Sequence, residues 1–335
     1  MGFVFASCAT GIESALKDDV TDNRAALRLA FSRPGLVTFK IDADVPLDVP
    51  RPSPWARVWG ASLGRAANAD EALAALPLDA QCLHVFARDP EAEGVAALVA
   101  EVDAAIRAAA TAAHRPFARD THARAGEHVA DVIVAPGEPW LLGAHTHGPG
   151  RSPHPGGDLP VTVPDDAPSR AYAKIEQAIA WASLPVVAGQ VAVEVGSAPG
   201  GAAYALARRG LTVWGVDPGA MAPSVLAYAG PSGARVHHVQ ETLASVRWEM
   251  LPRAVDWLLL DVNLAPPVAL HGLGRLVPAW KRKLRGAVLT LKMNDAAVRR
   301  GVPTYLERIA ALGFSDVQVT HLPANHTELC VVARR

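Results

Sequence analysis

The sequence predicts an α/β protein in two parts. The C-terminal part is a Rossmann-like domain with a mixed seven-stranded sheet, and the N-terminal part is an α+β region. Three observations predict this. After residue 169, short apolar runs alternate with amphipathic stretches at the spacing of βαβ units. The run from Val191 to Val195 enters a glycine-rich loop and leaves it through an alanine-rich helical pattern. Between His147 and Ser169, HGPGRSPHPGGDLPVTVPDDAPS is dense in proline and glycine, the composition of a linker. The expected boundaries are an α+β subdomain over 1–56, a second α+β unit over 57–150, a linker over 151–168 and the Rossmann-like domain over 169–335.

In chain order, GFVFAS reads as a strand, and GIESALKDDV and DNRAALRLAF read as helices. GLVTFKI alternates like a strand. WARVWGASL, a short helix near ADEALAAL, a strand QCLHVFA and a long helix EGVAALVAEVDAAIRAAATAA follow. HVADVIVA and PWLLGAH close the first half. After the linker, a helix SRAYAKIEQAIAWA precedes the strand QVAVEVG. Strands LTVWGVD, ARVHHVQE and VDWLLLDV follow, then the helix PPVALHGLGRLVPAWKRKL. GAVLTLKM, the helix VPTYLERIAALGF and the strands SDVQVTHL and TELCVVARR end the chain. The last two strands are joined by a few residues and are expected to form a hairpin, with an antiparallel strand at one sheet edge.

Composition narrows the class. Of 335 residues, 50% are apolar, enough for a sizeable core, and the formal charge is -1. No global basic excess announces DNA or RNA, although a local patch can sit on a near-neutral protein. Cys8, Cys82 and Cys330 are isolated, so buried thiols in a reducing compartment are expected, with no disulfide framework or zinc site. MGFVFASCATG lacks the basic region of a signal peptide, and no stretch reaches the roughly 18 apolar residues of a membrane span. A cytoplasmic location is expected, with no membrane partner. Nothing marks a dimer interface.

The loop EVGSAPGG spans Glu194 to Gly201. Gly196, Gly200 and Gly201 allow positive φ and close approach of the backbone to a ligand. The next strand ends at Asp217, placed to accept hydrogen bonds from ribose hydroxyls. Glycine loop and acid together indicate an adenosyl group. The loop is neither GxGxxG nor GxxxxGK[ST], and Pro199 removes an N–H that a pyrophosphate would use. A cofactor without phosphate fits better, and S-adenosylmethionine is one. Gly196, Ser197, Ala198, Pro199, Gly200, Gly201, Asp217, Glu241 and Asp261 are the candidate cofactor residues.

Four residues suggest chemistry beyond binding. Asp261 ends DWLLLD, Lys292 ends AVLTLK, Glu328 begins ELCVV, and Lys174 lies in the helix before the first Rossmann strand. Lysine at the end of an apolar strand is costly without partners. Two lysines and two carboxylates at one sheet edge suit deprotonation of a poorly acidic hydroxyl. On this reading the like charge of Lys174 favours the neutral amine of Lys292, while Asp261 and Glu328 orient both.

SRAYAKIEQA, VEVGSAPGG, VWGVDPG, WLLLDV, VLTLKM and TELCVVARR together resemble the FtsJ-like ribose 2′-O-methyltransferases. The likeness is strong over 160–335 and weak before it. Within that family it is strongest to the branch acting on a cytidine ribose of 23S ribosomal RNA. The resemblance implies a Lys-Asp-Lys-Glu tetrad at Lys174, Asp261, Lys292 and Glu328, with Lys292 as general base. It also implies RNA as partner, a THUMP-like RNA-binding unit in the N-terminal half, and no metal. Ala198 and Ala202 replace a cysteine and an aromatic, Ala171 replaces a serine, and Glu241 replaces an aspartate of the family pattern. These departures touch cofactor contacts more than the reaction.

Other features carry less. An exocyclic-amine methyltransferase needs [DN]PP[YF] after the strand ending at Asp261, and the sequence has DVNLAPP. A C5-pyrimidine enzyme needs a nucleophilic cysteine there. A non-catalytic RNA-binding assembly protein is the remaining alternative, and the intact tetrad argues against it. His145, His147 and His154 gather without a completing cysteine or acid, so a strand-end or RNA-facing role is preferred to a metal site. His237 and His238 read as structural. KRKLR, from Lys281 to Arg285, suits either a helix C-terminus or a phosphate.

Overall fold

A computed structural model describes residues 1–118 and 122–335. It divides into two units, Met1–Leu159 and Pro160–Arg335. Among the described residues no helix is long and apolar enough to cross a membrane.

The first unit contains β1 (Gly2–Ser7), α1 (Glu13–Asn23), β2 (Arg28–Arg33), β3 (Leu36–Ile41), β4 (Trp59–Ala66), α2 (Ala69–Ala75), β5 (Cys82–Ala87), α3 (Val95–Ala112), β6 (His128–Val134) and β7 (Trp140–Thr146). One seven-stranded sheet runs β2-β3-β1-β4-β7-β6-β5. Only β5 and β6 pair in parallel. Residues on both sides of position 56 therefore share one sheet through the β1–β4 pairing. Helix α2 starts where the Asn68 side chain accepts the Glu71 N–H and Glu71 accepts the Ala67 N–H. The faces of α2 and α3 bury Leu83, Val85, Ala130, Val132 and Leu142 beneath Ala72, Val102 and Ile106.

DNRAALRLAF is not a helix. Helix α1 ends at Asn23, and Arg28–Arg33 forms strand β2. Its alanines and leucines favour helix, but Pro34 and Gly35 turn the chain back. Gly35 takes φ +78°, and β2 pairs antiparallel with β3. The proline-rich stretch after β7 also has structure. A turn at Pro155–Gly157 seats Gly157 against Arg57, where a Cβ would lie 2.9 Å from the Arg57 Cβ.

The second unit contains α4 (Ala171–Trp181), β8 (Val191–Val195), α5 (Gly201–Arg208), β9 (Thr212–Val216), α6 (Pro223–Ala227), β10 (Val236–Val239), β11 (Trp257–Leu260), α7 (Pro266–Trp280), β12 (Gly286–Lys292), α8 (Ala296–Arg300), α9 (Val302–Ala311), β13 (Asp316–Thr320) and β14 (Glu328–Arg334). The short helices α6 and α8 have too few residues for a periodic signal. The sheet order is β10-β9-β8-β11-β12-β14-β13, a mixed seven-stranded α/β sheet. Its five strands from β10 to β12 are parallel, and their runs are apolar because the sheet is covered. The expected hairpin of β13 and β14 forms. The antiparallel strand, however, is not at the edge. Strand β14 inserts between β12 and β13 and pairs with both.

Ile106 is fully buried between α3 and the first sheet. Ile106→Ala is expected to destabilise the first unit by about 2–5 kcal/mol. Hydrogen exchange should show it as faster opening of β5 and β6, with β8 and β11 unchanged.

Candidate active site

All candidate cofactor residues lie at carboxyl ends of the parallel strands of the second unit. Gly196–Gly201 joins β8 to α5, Asp217 follows β9, Glu241 follows β10 and Asp261 follows β11. This is where open α/β sheets bind ligands. Gly196 and Gly200 take the expected positive φ, +84° and +114°. A Cβ at Gly196 would come within 2.2 Å of the Asp261 carbonyl oxygen, and one at Gly201 within 2.3 Å of Ser169 Oγ. At Gly200 it would meet Met221 Sδ at 2.5 Å. These contacts let the loop lie directly against the end of β11 and against Ser169 and Met221.

Asp217 ties two of these loops together. Its Oδ2 accepts the Ala198 N–H at 3.1 Å and its Oδ1 accepts the Gly219 N–H at 2.7 Å. Each oxygen keeps a lone pair for a further donor. Two polar atoms of the loop region are buried without a hydrogen-bond partner, Glu194 Oε2 and Ser197 Oγ. Burial, with Asp261 second, pushes the Glu194 carboxyl well above its ordinary value and favours the neutral form. Buried polar atoms left open are uncommon and suit a polar ligand that completes them.

The four chemistry-bearing residues converge. Lys174 comes from α4, Asp261 from the end of β11, Lys292 from the end of β12 and Glu328 from the start of β14. In the β12–β14 register Lys292 stands directly opposite Glu328. Lys292 Nζ donates to Asp261 Oδ1 at 2.9 Å and to Glu328 Oε1 at 3.0 Å. Lys174 Nζ donates to Asp261 Oδ2 at 3.1 Å and to Glu328 Oε1 at 3.3 Å. The His326 N–H donates to Glu328 Oε2 at 2.8 Å. The side chains close a ring of alternating charge, each between 11% and 21% exposed. At its rim, Arg170 contacts His326.

The electrostatics correct one expectation. Burial alone would lower the Lys292 pKa, but Asp261 and then Glu328 outweigh it, and the pKa is raised. Lys174 therefore does not hold Lys292 neutral in this state, because two carboxylates stand between the ammonium groups. Burial would likewise raise the Glu328 carboxyl. The Lys292 hydrogen bond, the His326 N–H and Lys174 together bring it down to about 2.

The ring borders a pocket also lined by Glu194, Thr290, Asn325 and Cys330. Sequence reasoning left Thr290 and Cys330 out. Strand period points to both, since each lies two residues from a ring member on the same strand face, and the two are partners in register. Cys330 is no nucleophile, because burial, aided by Asp261, pushes its thiol up to about 12.

His145, His147 and His154 belong to the first unit. His145 Nδ1 contacts the fully buried Asp131 Oδ2 at 2.6 Å, and His154 meets His122 edge-on at 4.4 Å. Among the described residues no group of three or more His, Cys, Asp or Glu side chains is arranged to hold a metal. His238 Nε2 contacts the Asp217 carbonyl oxygen at 3.0 Å, and His237 stacks on Trp214. From the KRKLR stretch, Lys283 and Arg285 pair with the buried Asp256. Arg209 pairs with Glu176.

No protein-family model matches the chain. A protein of Halorhodospira halophila named ribosomal RNA large subunit methyltransferase M is 33% identical over 192 residues, 55% of this chain and 52% of its own length. A protein of the same name from Alkalilimnicola ehrlichii is 34% identical over 163 residues, 47% of this chain and 42% of its own. The chain spans about half the length of the curated relatives it matches. Among solved structures, TrmN from Thermus thermophilus aligns over 100% of both chains with a TM-score of 0.38 at 15% identity. Magnesium protoporphyrin IX methyltransferase from Synechocystis, solved with bound SAM, aligns over 50% of this chain and 80% of its own, with a TM-score of 0.37 at 16% identity.

Two titrations make stability fall on acidification. The Glu328 pKa is depressed from 4.5 to about 2, so its contribution is present above pH 4.5 and lost as pH falls toward 2. His147 is depressed from 6.5 to about 4, first by burial and then by His145. Its contribution is present above pH 6.5 and lost as pH falls toward 4. In urea titrations at stepped pH, Glu328→Gln is expected to flatten the lower window and His147→Gln the upper one. Unchanged slopes in both variants would remove these two groups as the source.

Proposed function

We propose that the second unit binds S-adenosylmethionine and directs its methyl group to a ribose 2′-hydroxyl of RNA, most specifically a cytidine of 23S ribosomal RNA. The observation that carries the reading is the closed ring of Lys174, Asp261, Lys292 and Glu328 at the strand ends. A ribose hydroxyl is a weak acid, and a half-buried lysine framed by carboxylates can orient it and accept its proton as the new bond forms. The same four positions match the tetrad of the FtsJ-like family, and the names of the curated relatives point to large-subunit ribosomal RNA.

Lys292 is the base, Lys174 balances charge, and Asp261 and Glu328 fix both ammonium groups. S-adenosylmethionine supplies a methyl group on a positively charged sulfur. The residues present suit such a ligand. Glu194 Oε2 and Ser197 Oγ are open polar atoms, Asp217 has lone pairs left for ribose hydroxyls, and Glu241 stands at the next strand end. The first unit, THUMP-like over residues 57–150, presents the RNA, and the reaction belongs to the cytoplasm and uses no metal.

Lys292→Ala is expected to lower transfer by about 10²–10⁴-fold while cofactor affinity stays within a few-fold. Full activity in that variant would sink the lysine mechanism. Because the Lys292 pKa is raised, its neutral amine is a minor species at neutral pH. The pH profile of kcat/KM should therefore climb about tenfold per unit from about pH 6 to 9 without a plateau. A plateau near neutrality would point to another base. Labelled methyl transfer to RNA from a strain lacking the chain, followed by nucleoside mass spectrometry, identifies the product. 2′-O-methylcytidine from 23S RNA is expected, and a base-methylated nucleoside would overturn the role given to the ring.

A further inference from the structure

We infer that the exposed edge of the first unit's sheet around Phe31 binds the sugar-phosphate backbone of RNA, with Arg33 and Arg65 as its phosphate-reading groups. The inference rests on RNA being the substrate and deepens that reading by naming a surface.

Helices α1, α2 and α3 pack on one face of this sheet, over Val37, Phe39, Val85, Val132 and Leu142. The other face is also covered away from its edge, where Phe5, Leu36, Phe86 and Ile133 are buried together. At the edge, the β1–β3 and β2–β3 registers align Phe3, Lys40 and Arg28, and place Phe31 opposite Thr38. Strand period alone would put Arg28 and Phe31 on opposite faces. The register shift between Leu29 and Phe31 brings Arg28 onto the face of Phe31 and Arg33. The result is an aromatic and basic stripe near the sheet edge, with Phe3 41% exposed.

Two guanidinium groups share the Phe31 ring. Arg33 Cζ lies 4.7 Å and Arg65 Cζ 5.4 Å from its centroid. A phenyl ring holds a guanidinium by its face and leaves its edge N–H groups available as donors; one of those of Arg33, on Nη1, donates to the Ser32 carbonyl at 3.2 Å. Those edges match phosphate oxygens, and the planes can also stack on unpaired bases. Carboxylates offset only part of this charge. Arg28 pairs with Asp42 and Arg88 with Glu138, whereas Arg33, Arg65 and Lys40 make no salt bridge among the described residues. Glu138 is held below the usual carboxylate range by Arg88 first, with Arg33 and Arg65 adding to it. On a chain of formal charge -1, such a local excess is a patch and not a property of the whole surface. A polyanion complements it.

The test uses the full chain and deproteinised 23S ribosomal RNA as probe, with Kd measured over a range of salt. The double variant Arg33→Ala/Arg65→Ala is expected to bind roughly tenfold more weakly near 0.1 M salt. Its slope of log affinity against log salt should fall by about 2, one for each lost phosphate contact. Arg33→Lys/Arg65→Lys should keep the slope but lose affinity, since it keeps charge without the planar fork. Unchanged affinity and slope in the double alanine variant overturn the inference, whether or not the wild-type chain methylates RNA. Loss of binding to a ribosomal protein, with affinity for bare RNA intact, assigns the stripe to a protein strand added at β2 and overturns it as well. A wild-type chain that binds RNA through these arginines but transfers no methyl supports the surface and sinks the catalytic reading alone.

Discussion

Two ammonium groups occupy one half-buried pocket because a carboxylate oxygen lies between them on every side. Lysine is expensive to remove from water, and two lysines more so. The ring of Lys174, Asp261, Lys292 and Glu328 offsets that cost with four charge-assisted hydrogen bonds and no net charge. The sheet order follows the same need. Only an antiparallel strand beside β12 can begin, residue for residue, opposite the place where β12 ends. Strand β14 does so, and Glu328 faces Lys292 without a loop to position it. Asp261 arrives from the neighbouring strand β11 on the other side, and Lys174 of α4 closes the ring.

The glycine loop depends on the same junction. Gly196 passes so near the Asp261 carbonyl that no side chain fits, which couples the loop after β8 to the residue that holds both lysines. Asp217 links the loop in turn to the end of β9 through the Ala198 and Gly219 N–H groups. Glycine loop and charge ring are thus successive contacts of one backbone layer. A disturbance at Gly196 reaches Asp261 before it reaches any ligand.

Much of the second unit was legible in its sequence because βαβ spacing, apolar strand runs and acids at strand ends repeat regularly. The hairpin of β13 and β14 was legible from its short connection. The place of β14 inside the sheet was not, since strand order is set by packing between distant segments. The four ring residues could be named singly, but their hydrogen bonds and the sign of the Lys292 shift needed coordinates. Lys174 suggested a like-charge neighbour, and nothing in sequence order reveals that Asp261 and Glu328 intervene. In the first unit, DNRAALRLAF misled because alanine and leucine favour helix locally, while the turn at Pro34 and Gly35 and pairing with β3 decide otherwise. The stripe around Phe31 was hidden for a related reason, because its face depends on a register shift.

Cys330 touches the pocket, yet burial holds its sulfur protonated, and Cys8 and Cys82 are buried as well. Thiol chemistry therefore meets a surface without native targets. A single cysteine placed on an exposed loop becomes the one readily alkylated position of the chain, so a fluorophore or crosslinker can be attached there while all three native cysteines stay in place.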